Sequence, residues 1–335
     1  MAPARVLVRL PNWLGDVLMA RPLLYALRAA WPGARLLAVG PEPLLALLAP
    51  ERGADERVAW PRDGAARRAA TARIRAWAPE VALVLPASFS SAWLAWRSGA
   101  ITRVGYRSEG RDSLLTQALP RRPRGERHLS DEFLELAATL GVKPVPVPVL
   151  VPAPEDVRDA RAVLDAAGVT TGERHALLAP RSAFGPAREW FADRFAATGK
   201  ALVERGLRVL VCGTAAEAES CERIARAIGP DAASVAGRTP LPTLVALAAS
   251  ARLALCNDSG IAHLAASTGA PTLQIYGSAS SAWTAARGPH VRVLHRAPAC
   301  SPCWQRTCRI GTRCLDAVTV AWVLSETDQL VKEAG

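Results

Sequence analysis

Two aspartates, each within two residues of a glycine where an apolar run gives way to a helical pattern, are the residues best suited to chemistry. Asp258 lies between an apolar run at Leu253–Cys256 and a small-residue helix predicted from Ser259 to Ser267. The free N–H groups and the positive dipole end at the start of that helix predict an anion site, and Gly260 would let a bulky ligand approach the backbone. Alternatively, Asp258 only caps the helix.

Asp16 is the other aspartate, and it follows the turn Pro11-Asn-Trp-Leu-Gly15 at the start of another predicted helix. Its carboxylate could act as a general base that takes a proton from a substrate hydroxyl, or it could be an N-cap. His263, one turn into the helix after Asp258, faces either the anion site or the neighbouring strand.

Three polar loops, each after a predicted strand, add hydroxyl and guanidinium groups. The loop from Pro180 to Trp190 carries Arg181 and Arg188, whose fixed charges could neutralise a pyrophosphate. The loop Ala87–Ser91 offers hydroxyls for a phosphate or sugar, or an ordinary serine cap. The loop Gly105–Arg111 carries two arginines that could clamp an acidic acceptor or stay solvated.

No Asp-x-Asp pair of the kind that presents a divalent ion to a nucleotide sugar occurs in the chain. Backbone N–H groups and arginines are therefore expected to supply the electrostatic stabilisation, with no metal cofactor.

Four of the seven cysteines form the pattern Cys300-x2-Cys303-x4-Cys308-x5-Cys314 in an irregular loop. Such a spacing can hold zinc or an iron–sulfur cluster, but it does not match the paired zinc-ribbon pattern. The alternative is a compact loop with structural or tolerated thiols.

These candidates are positioned by strands that alternate with helices, which predicts doubly wound parallel sheets. The predicted strands are Arg5–Leu10, Leu36–Val39, Arg57–Ala59, Val81–Leu85, Thr102–Val104, Ala176–Ala179, Arg208–Val211, Leu253–Cys256 and Thr272–Ile275. The predicted helices are Asp16–Trp31, Ala65–Trp77, Ser91–Trp96, Ser130–Leu140, Glu155–Ala167, Ala192–Arg205, Ala216–Ile228, Leu241–Ala249, Ser259–Ser267 and Val320–Lys332.

The proline-rich segment Val145–Pro154 is the best domain boundary, because closely spaced prolines favour a stiff, extended chain. We expect one α/β domain over residues 1–150 and a second over 151–335, with a ligand cleft between them.

The charge and the hydrophobic pattern of the chain favour some classes of protein over others. The net charge is +11, and it is almost entirely arginine because the chain has only three lysines. This surplus suits phosphates or anionic lipid surfaces, whereas the chain shows no nucleic-acid-binding motif. No apolar run is long enough to cross a membrane, and the first residues read as a strand rather than a signal peptide, which predicts a cytoplasmic protein.

Three stretches together resemble the signature segments of the bacterial lipopolysaccharide heptosyltransferases, which are GT-B glycosyltransferases. They are Leu10–Asp16, Ala179–Arg188 and Asn257–His263, and the resemblance covers nearly the whole chain in the same order. A segment Pro86–Ser90 makes the chain most similar to the heptosyltransferase II members. Where the family usually has a lysine shortly before the Trp of the second signature, this chain has Arg188.

The resemblance implies a GT-B fold and an inverting, metal-independent transfer of heptose from an ADP-heptose donor to the lipid A-linked core oligosaccharide. Asp16 would be the catalytic base, with the N-terminal domain binding the acceptor and the C-terminal domain the donor. The expected donor-site residues are Ser182, Arg188, Asp258, Ser259, Gly260 and His263, with Asp258 capping and orienting the helix. The expected acceptor-site residues are Asn12, Ser88, Ser90, Arg107 and Arg111. The expected partners also include the inner-membrane surface at its cytoplasmic face, contacted through arginines and apolar residues such as Trp93–Trp96.

Other readings stay open. A GT-B enzyme with another nucleotide-sugar donor, or a nucleotide-sugar epimerase, would share the fold and nucleotide chemistry. A dehydrogenase would need a Gly-x-Gly-x-x-Gly turn after its first strand, which this chain lacks. A basic binding module without activity would rest on charge alone.

Overall fold

Buried apolar runs form the strands of two separate sheets, in which every strand pairing is parallel. The computed structural model describes residues 2–48 and 53–334. The chain divides into two units, Met1–Pro148 and Val149–Gly335, and each contains one sheet. Central strands of a parallel sheet are covered on both faces, which explains why they are continuously apolar rather than alternating.

Unit 1 contains six strands in the order β3-β2-β1-β4-β5-β6. They are β1 Arg5–Arg9, β2 Arg35–Gly40, β3 Glu56–Ala59, β4 Val81–Val84, β5 Thr102–Tyr106 and β6 Gln117–Leu119. Its helices are α1 Leu14–Met19, α2 Arg21–Ala30, α3 Glu42–Leu45, α4 Gly64–Trp77, α5 Phe89–Arg97 and α6 Leu129–Ala138.

Unit 2 contains six strands in the order β12-β11-β10-β7-β8-β9. They are β7 His175–Ala179, β8 Arg208–Val211, β9 Ala232–Ser234, β10 Leu253–Asn257, β11 Thr272–Ile275 and β12 Val291–Leu294. Its helices are α7 Pro154–Ala166, α8 Ala192–Glu204, α9 Ala218–Ile228, α10 Leu241–Ala249, α11 Gly260–Ser267, α12 Ser281–Thr284, α13 Arg313–Asp316 and α14 Val320–Glu333.

Both units have the same topology. If the strands of each unit are numbered one to six along the chain, both sheets read 3-2-1-4-5-6, the order of a doubly wound Rossmann-type sheet. In such a sheet the chain reverses its winding direction between strands 1 and 4, and ligands bind beyond the carboxyl ends of those two strands. The loops after β1 and β4, and those after β7 and β10, therefore flank the two switch points.

The predicted single helix from Asp16 to Trp31 is wrong, because the segment forms two helices that meet at Ala20. Pro22 explains the break. Proline has no N–H to donate and its ring clashes with the carbonyl four residues earlier, so one helix cannot run through this position. The first helix also begins at Leu14, two residues before Asp16.

Three strands were not predicted from the sequence. All three lie at sheet edges, where a strand pairs with a single neighbouring strand. They are β6, β9 and β12, which are short and only partly buried. An edge strand covers less apolar surface than a central one, so its hydrophobic signal is weak.

Three alanines of the helix after β10 help it to pack closely on its sheet. Ala262, Ala265 and Ala266 are almost fully buried there. Among the helices of the described residues, none is both long and apolar enough to cross a membrane.

Candidate functional site

A buried asparagine ties the switch point of unit 2 together. Asn257 is the last residue of β10 and is fully buried. Its Oδ1 accepts a hydrogen bond from the Trp190 backbone N–H at 3.0 Å, and its Nδ2 donates to the Pro180 carbonyl at 2.7 Å. One side chain therefore fixes both ends of the loop from residue 180 to residue 190, hereafter the 180–190 loop.

The 180–190 loop places a guanidinium beside the Asp258 carboxylate. Arg188 Nη1 lies 3.0 Å from Asp258 Oδ2, and the guanidinium carbon is 3.8 Å from the centroid of the Phe184 ring. The Ser182 hydroxyl donates to the Asp258 carbonyl at 2.9 Å. Ser182, Arg188 and Asp258, which the sequence assigned to one site, are thus in contact.

The expected capping role of Asp258 is not what the structure shows. Ser259 is the N-cap of α11, and the Asp258 carboxylate is paired with Arg188. Asp258 therefore orients the Arg188 guanidinium of the 180–190 loop. Burial raises the pKa of Asp258 to about 6, against the opposing effects of the Arg188 charge and the Tyr276 hydroxyl.

The start of α11 keeps the features of an anion site. The Ser259 hydroxyl is buried and has no hydrogen-bond partner within the described residues, although a hydroxyl can both donate and accept. Gly260 opens the helix, so its backbone N–H belongs to the group that the helix leaves unpaired. His263 lies buried in the first turn of the same helix.

The second arginine of the 180–190 loop has its own acidic partner. Arg181 Nη1 lies 2.7 Å from Glu189 Oε2, while Glu189 Oε1 accepts from the Ser182 backbone N–H at 2.9 Å. Glu189 and Asn257 are loop-fixing residues that the sequence analysis did not single out. A polar residue ending a fully apolar strand, as Asn257 does, is the signal that could have identified it.

In unit 1, Asp16 is the third residue of α1 and is half-buried. The N-cap is Trp13, so the alternative in which Asp16 caps the helix does not apply. Arg9, another residue that sequence reasoning missed, is almost fully buried and donates to Asn12 Oδ1 at 3.0 Å. Burial, together with the smaller effect of the nearby Arg67 charge, lowers the pKa of Arg9 to about 10. Asn12 itself is exposed.

The serine segment after β4 has its helix N-terminus occupied. The Phe89 backbone N–H, at the start of α5, donates to Glu109 Oε2 at 3.0 Å. Ser88 is the N-cap but makes no side-chain cap; its hydroxyl instead contacts those of Ser90 at 3.2 Å and Ser91 at 2.8 Å. Ser90 is exposed, whereas the helix terminus is already bound by a carboxylate.

The two arginines of the Gly105–Arg111 loop have different environments. Arg111 is fully buried and donates to the carbonyls of Tyr106, Pro86 and Ser88, so it braces the loop from inside. This corrects the expectation that Arg111 clamps an acceptor. Arg107 is largely exposed, with Asp112 at 3.7 Å.

The segment Cys300–Cys314, hereafter the cysteine loop, contributes all four of its cysteines to the lining of one small cavity of about 20 Å³. Cys300 is exposed, and the other three thiols are half-buried. Within residues 2–48 and 53–334, no three histidine, cysteine or acidic side chains are grouped so that they could hold a metal ion.

A family model described as glycosyltransferase family 9 (heptosyltransferase) matches residues 67–313. The chain belongs to this family. It is 28% identical over 304 residues to lipopolysaccharide heptosyltransferase 2 of Salmonella typhimurium, with 87% of each chain covered. The protein is therefore a glycosyltransferase, and it is similar to heptosyltransferase II enzymes.

Two solved structures share the fold of this chain. The structure of Escherichia coli ADP-heptose lipopolysaccharide heptosyltransferase II matches with a TM-score of 0.83 and 26% identity, over 98% of this chain and 99% of that one. The Escherichia coli heptosyltransferase WaaC with ADP matches with a TM-score of 0.71 and 19% identity, over 99% and 100%. The expected α/β fold of the GT-B class is confirmed.

Proposed function

We propose that this protein transfers heptose from ADP-heptose to the lipid A-linked inner core of lipopolysaccharide, with inversion and without a divalent metal. The observation that carries the proposal is the Arg188–Asp258 pair beside the start of α11, at the switch point of unit 2. The donor and acceptor in this proposal are those in the name of the Escherichia coli enzyme, which matches this chain over almost its full length.

In this mechanism Asp16 is the general base. It would take the proton from an acceptor hydroxyl, whose oxygen forms a bond to the anomeric carbon of heptose as the bond from that carbon to the ADP oxygen breaks. A single displacement from the face opposite the leaving group inverts the anomeric configuration. Asn12, Ser90 and Arg107, the expected acceptor residues exposed in unit 1, would bind the sugar acceptor.

The leaving diphosphate needs positive charge and hydrogen-bond donors. The N–H groups at the start of α11, the Ser259 hydroxyl and the Arg188 guanidinium offer both. Without an Asp-x-Asp pair to present a divalent ion, these groups would stabilise the developing charge by themselves.

The test is ADP release from ADP-heptose, measured in chelator with and without a heptose-deficient lipopolysaccharide core. Wild type should release ADP only with acceptor, and Asp16→Asn should lower kcat by about 10²–10⁴-fold while binding ADP normally. Asp159→Asn, an exposed carboxylate on α7, is the matched control and should behave as wild type. The anomeric configuration of the product, read by NMR, tests inversion.

Other outcomes would send the assignment elsewhere. Release that is indifferent to acceptor would favour an epimerase or hydrolase. Release from another nucleotide sugar, but not from ADP-heptose, would keep the GT-B transferase and change the donor. Activity that chelator abolishes and Mg²⁺ restores would refute metal independence.

We also propose that the protein works at the cytoplasmic face of the inner membrane, where a lipid-linked acceptor would lie. Helix α5 exposes three aromatic side chains on one face, Phe89, Trp93 and Trp96, with ring centroids 6.4 Å and 4.9 Å apart. Helix α4, which packs beside it, carries four exposed arginines and no acidic residue, namely Arg67, Arg68, Arg73 and Arg75. Aromatic side chains next to basic ones are typical of surfaces that bind anionic lipid.

Co-sedimentation with vesicles tests this surface. Vesicles containing phosphatidylglycerol should bind the protein, and those of phosphatidylcholine alone should bind it far less. The double change Trp93→Ser with Trp96→Ser, or Arg68→Ala with Arg75→Ala, should weaken binding. Arg223→Ala with Arg226→Ala on α9 removes the same charge and should not. Equal binding of all variants would refute this docking face.

A further inference from the structure

The cysteine loop lies directly against the 180–190 loop. The Ala187 backbone N–H donates to the Arg306 carbonyl at 3.0 Å. A side-chain carbon at Gly185 would lie 2.7 Å from the same carbonyl oxygen, and Gly185 has a φ of 143°. Only glycine fits such a backbone and such a close approach, so the contact between the two loops is built into the sequence.

A second contact fixes the cysteine loop from the other side. The backbone N–H groups of Cys303 and Trp304 donate to the Ser278 carbonyl at 3.1 Å and 2.9 Å. The Ser278 N–H in turn donates to the Ala187 carbonyl at 3.2 Å. Arg306 is therefore held between two anchored backbone segments, although its side chain is exposed.

The guanidinium groups of Arg306 and Arg188 lie over the same aromatic ring. Their central carbons are 5.6 Å and 3.8 Å from the centroid of Phe184. The two guanidinium carbons can thus be no further apart than the sum of these distances, which is about one Debye length at physiological ionic strength. An anion that lies between the two guanidinium groups would therefore interact with both charges.

The charges around this ring are unevenly balanced. Arg188 is paired with Asp258 at 3.0 Å, and Arg181 is paired with Glu189 at 2.7 Å. In the described part of the chain, no carboxylate lies within ion-pair distance of Arg306. Of the two guanidinium groups over Phe184, that of Arg306 is therefore the one without a carboxylate partner, and the proposed reaction has no other use for its loop.

We propose that Arg306 binds the diphosphate of the nucleotide-sugar donor and stabilises it as it leaves. The inference rests on the proposed function, because it takes the donor site to be the one beside Arg188 and α11. Asp258 would hold Arg188 in position, and Arg306 would supply the net positive charge that this neutral pair lacks. The cysteine loop would serve to present this guanidinium.

The experiment is calorimetric binding of ADP and of inorganic pyrophosphate to wild type, Arg306→Ala, Arg306→Lys and Arg309→Ala. We expect Arg306→Ala to weaken both ligands by about tenfold and to reduce the salt dependence of binding, because one charge-assisted contact is lost. Arg306→Lys should recover part of the affinity. Arg309→Ala, an exposed arginine three residues along the same loop, should bind within twofold of wild type.

The outcomes separate this inference from the proposed function. If wild type and Arg306→Ala bind ADP and pyrophosphate equally, the role of Arg306 is refuted and the transferase assignment stands. If Arg306→Ala loses affinity but wild type does not turn over ADP-heptose, the anion site stands and the donor assignment fails. If wild type binds neither ligand, both are refuted. Unchanged thermal unfolding of Arg306→Ala would exclude misfolding as the cause of lost affinity.

Discussion

The carboxylate of Asp258 and the guanidinium of Arg188 form an ion pair at 3.0 Å in which both side chains are largely buried. The two residues come from loops that follow neighbouring strands, β10 and β7. Burial disfavours the ionised carboxylate even with this partner, so the pKa of Asp258 is raised to about 6.

The raised pKa predicts a pH-dependent stability that Asp258→Asn should abolish. Because the folded state binds the Asp258 proton more tightly than the unfolded state does, this residue favours folding more as the pH falls through about 6. Between pH 7 and pH 5, wild type should gain about 1 kcal/mol of unfolding free energy relative to Asp258→Asn. Urea titrations at both pH values measure this difference. A constant difference between the two proteins would contradict the prediction.

The unpartnered hydroxyl at the start of α11 predicts separate effects on stability and on binding. Ser259→Ala should leave the free energy of unfolding within about 0.5 kcal/mol of wild type, because no hydrogen bond of the free protein is lost. It should weaken ADP binding by about tenfold, since the hydroxyl would bond to the diphosphate. Thermal unfolding with and without ADP measures both. Ser267→Ala, at the other end of α11, is the control and should not affect the ADP shift.

The two arginines of the Gly105–Arg111 loop should respond differently to removal. Arg111→Ala should destabilise the protein by about 3 kcal/mol, because three carbonyls, one of them in a fully buried hydrogen bond, lose their donor. Arg107→Ala should change stability by less than about 0.5 kcal/mol but raise KM for the acceptor with little change in kcat. Chemical denaturation and steady-state kinetics separate the two. An Arg111→Ala protein of normal stability and raised KM would restore the clamp role.

The close approach at Gly185 predicts that an alanine there destabilises the protein more than an alanine at Gly172. Gly185→Ala meets both a positive φ and a carbonyl 2.7 Å away, and we expect a loss of about 2–4 kcal/mol. Gly172 has a φ of 90° and nothing within 4 Å, so Gly172→Ala should cost about 1 kcal/mol. Gly185→Ala should also weaken ADP binding if the cysteine loop moves. Equal destabilisation by the two changes would show that the loop contact carries no energy.

The sequence predicted the central strands well because their signal is local. Runs such as Leu253–Cys256 are continuously apolar and end in polar turns, so their position and the loops after them could be read directly. The three edge strands β6, β9 and β12 were missed because they carry little apolar surface. The helix break at Ala20 was missed because it depends on one proline within a strong helical pattern.

The partners of the site residues could not be predicted, since they depend on tertiary contacts. Asp258 meets an arginine that lies 70 residues earlier in the chain, which no local pattern indicates. Arg111 belongs to a polar, glycine-containing segment that looks solvated, yet its guanidinium is enclosed by carbonyls. The cysteine pattern is the visible signal in the loop that contains Arg306. The position of the Arg306 guanidinium over Phe184 depends on a tertiary contact that this pattern does not indicate.

Because all strands of each sheet are parallel, the amino ends of the strands lie together, away from the candidate site, and are available for engineering. At the amino ends of the strands, Gly99 precedes β5 and Gly206 precedes β8, and a side chain at either position would meet nothing within 4 Å. Both turns lie at the opposite end of the strands from the candidate site. Peptide tags, fluorescent labels or new chain termini can therefore be introduced at these turns without altering the chemistry at the carboxyl ends.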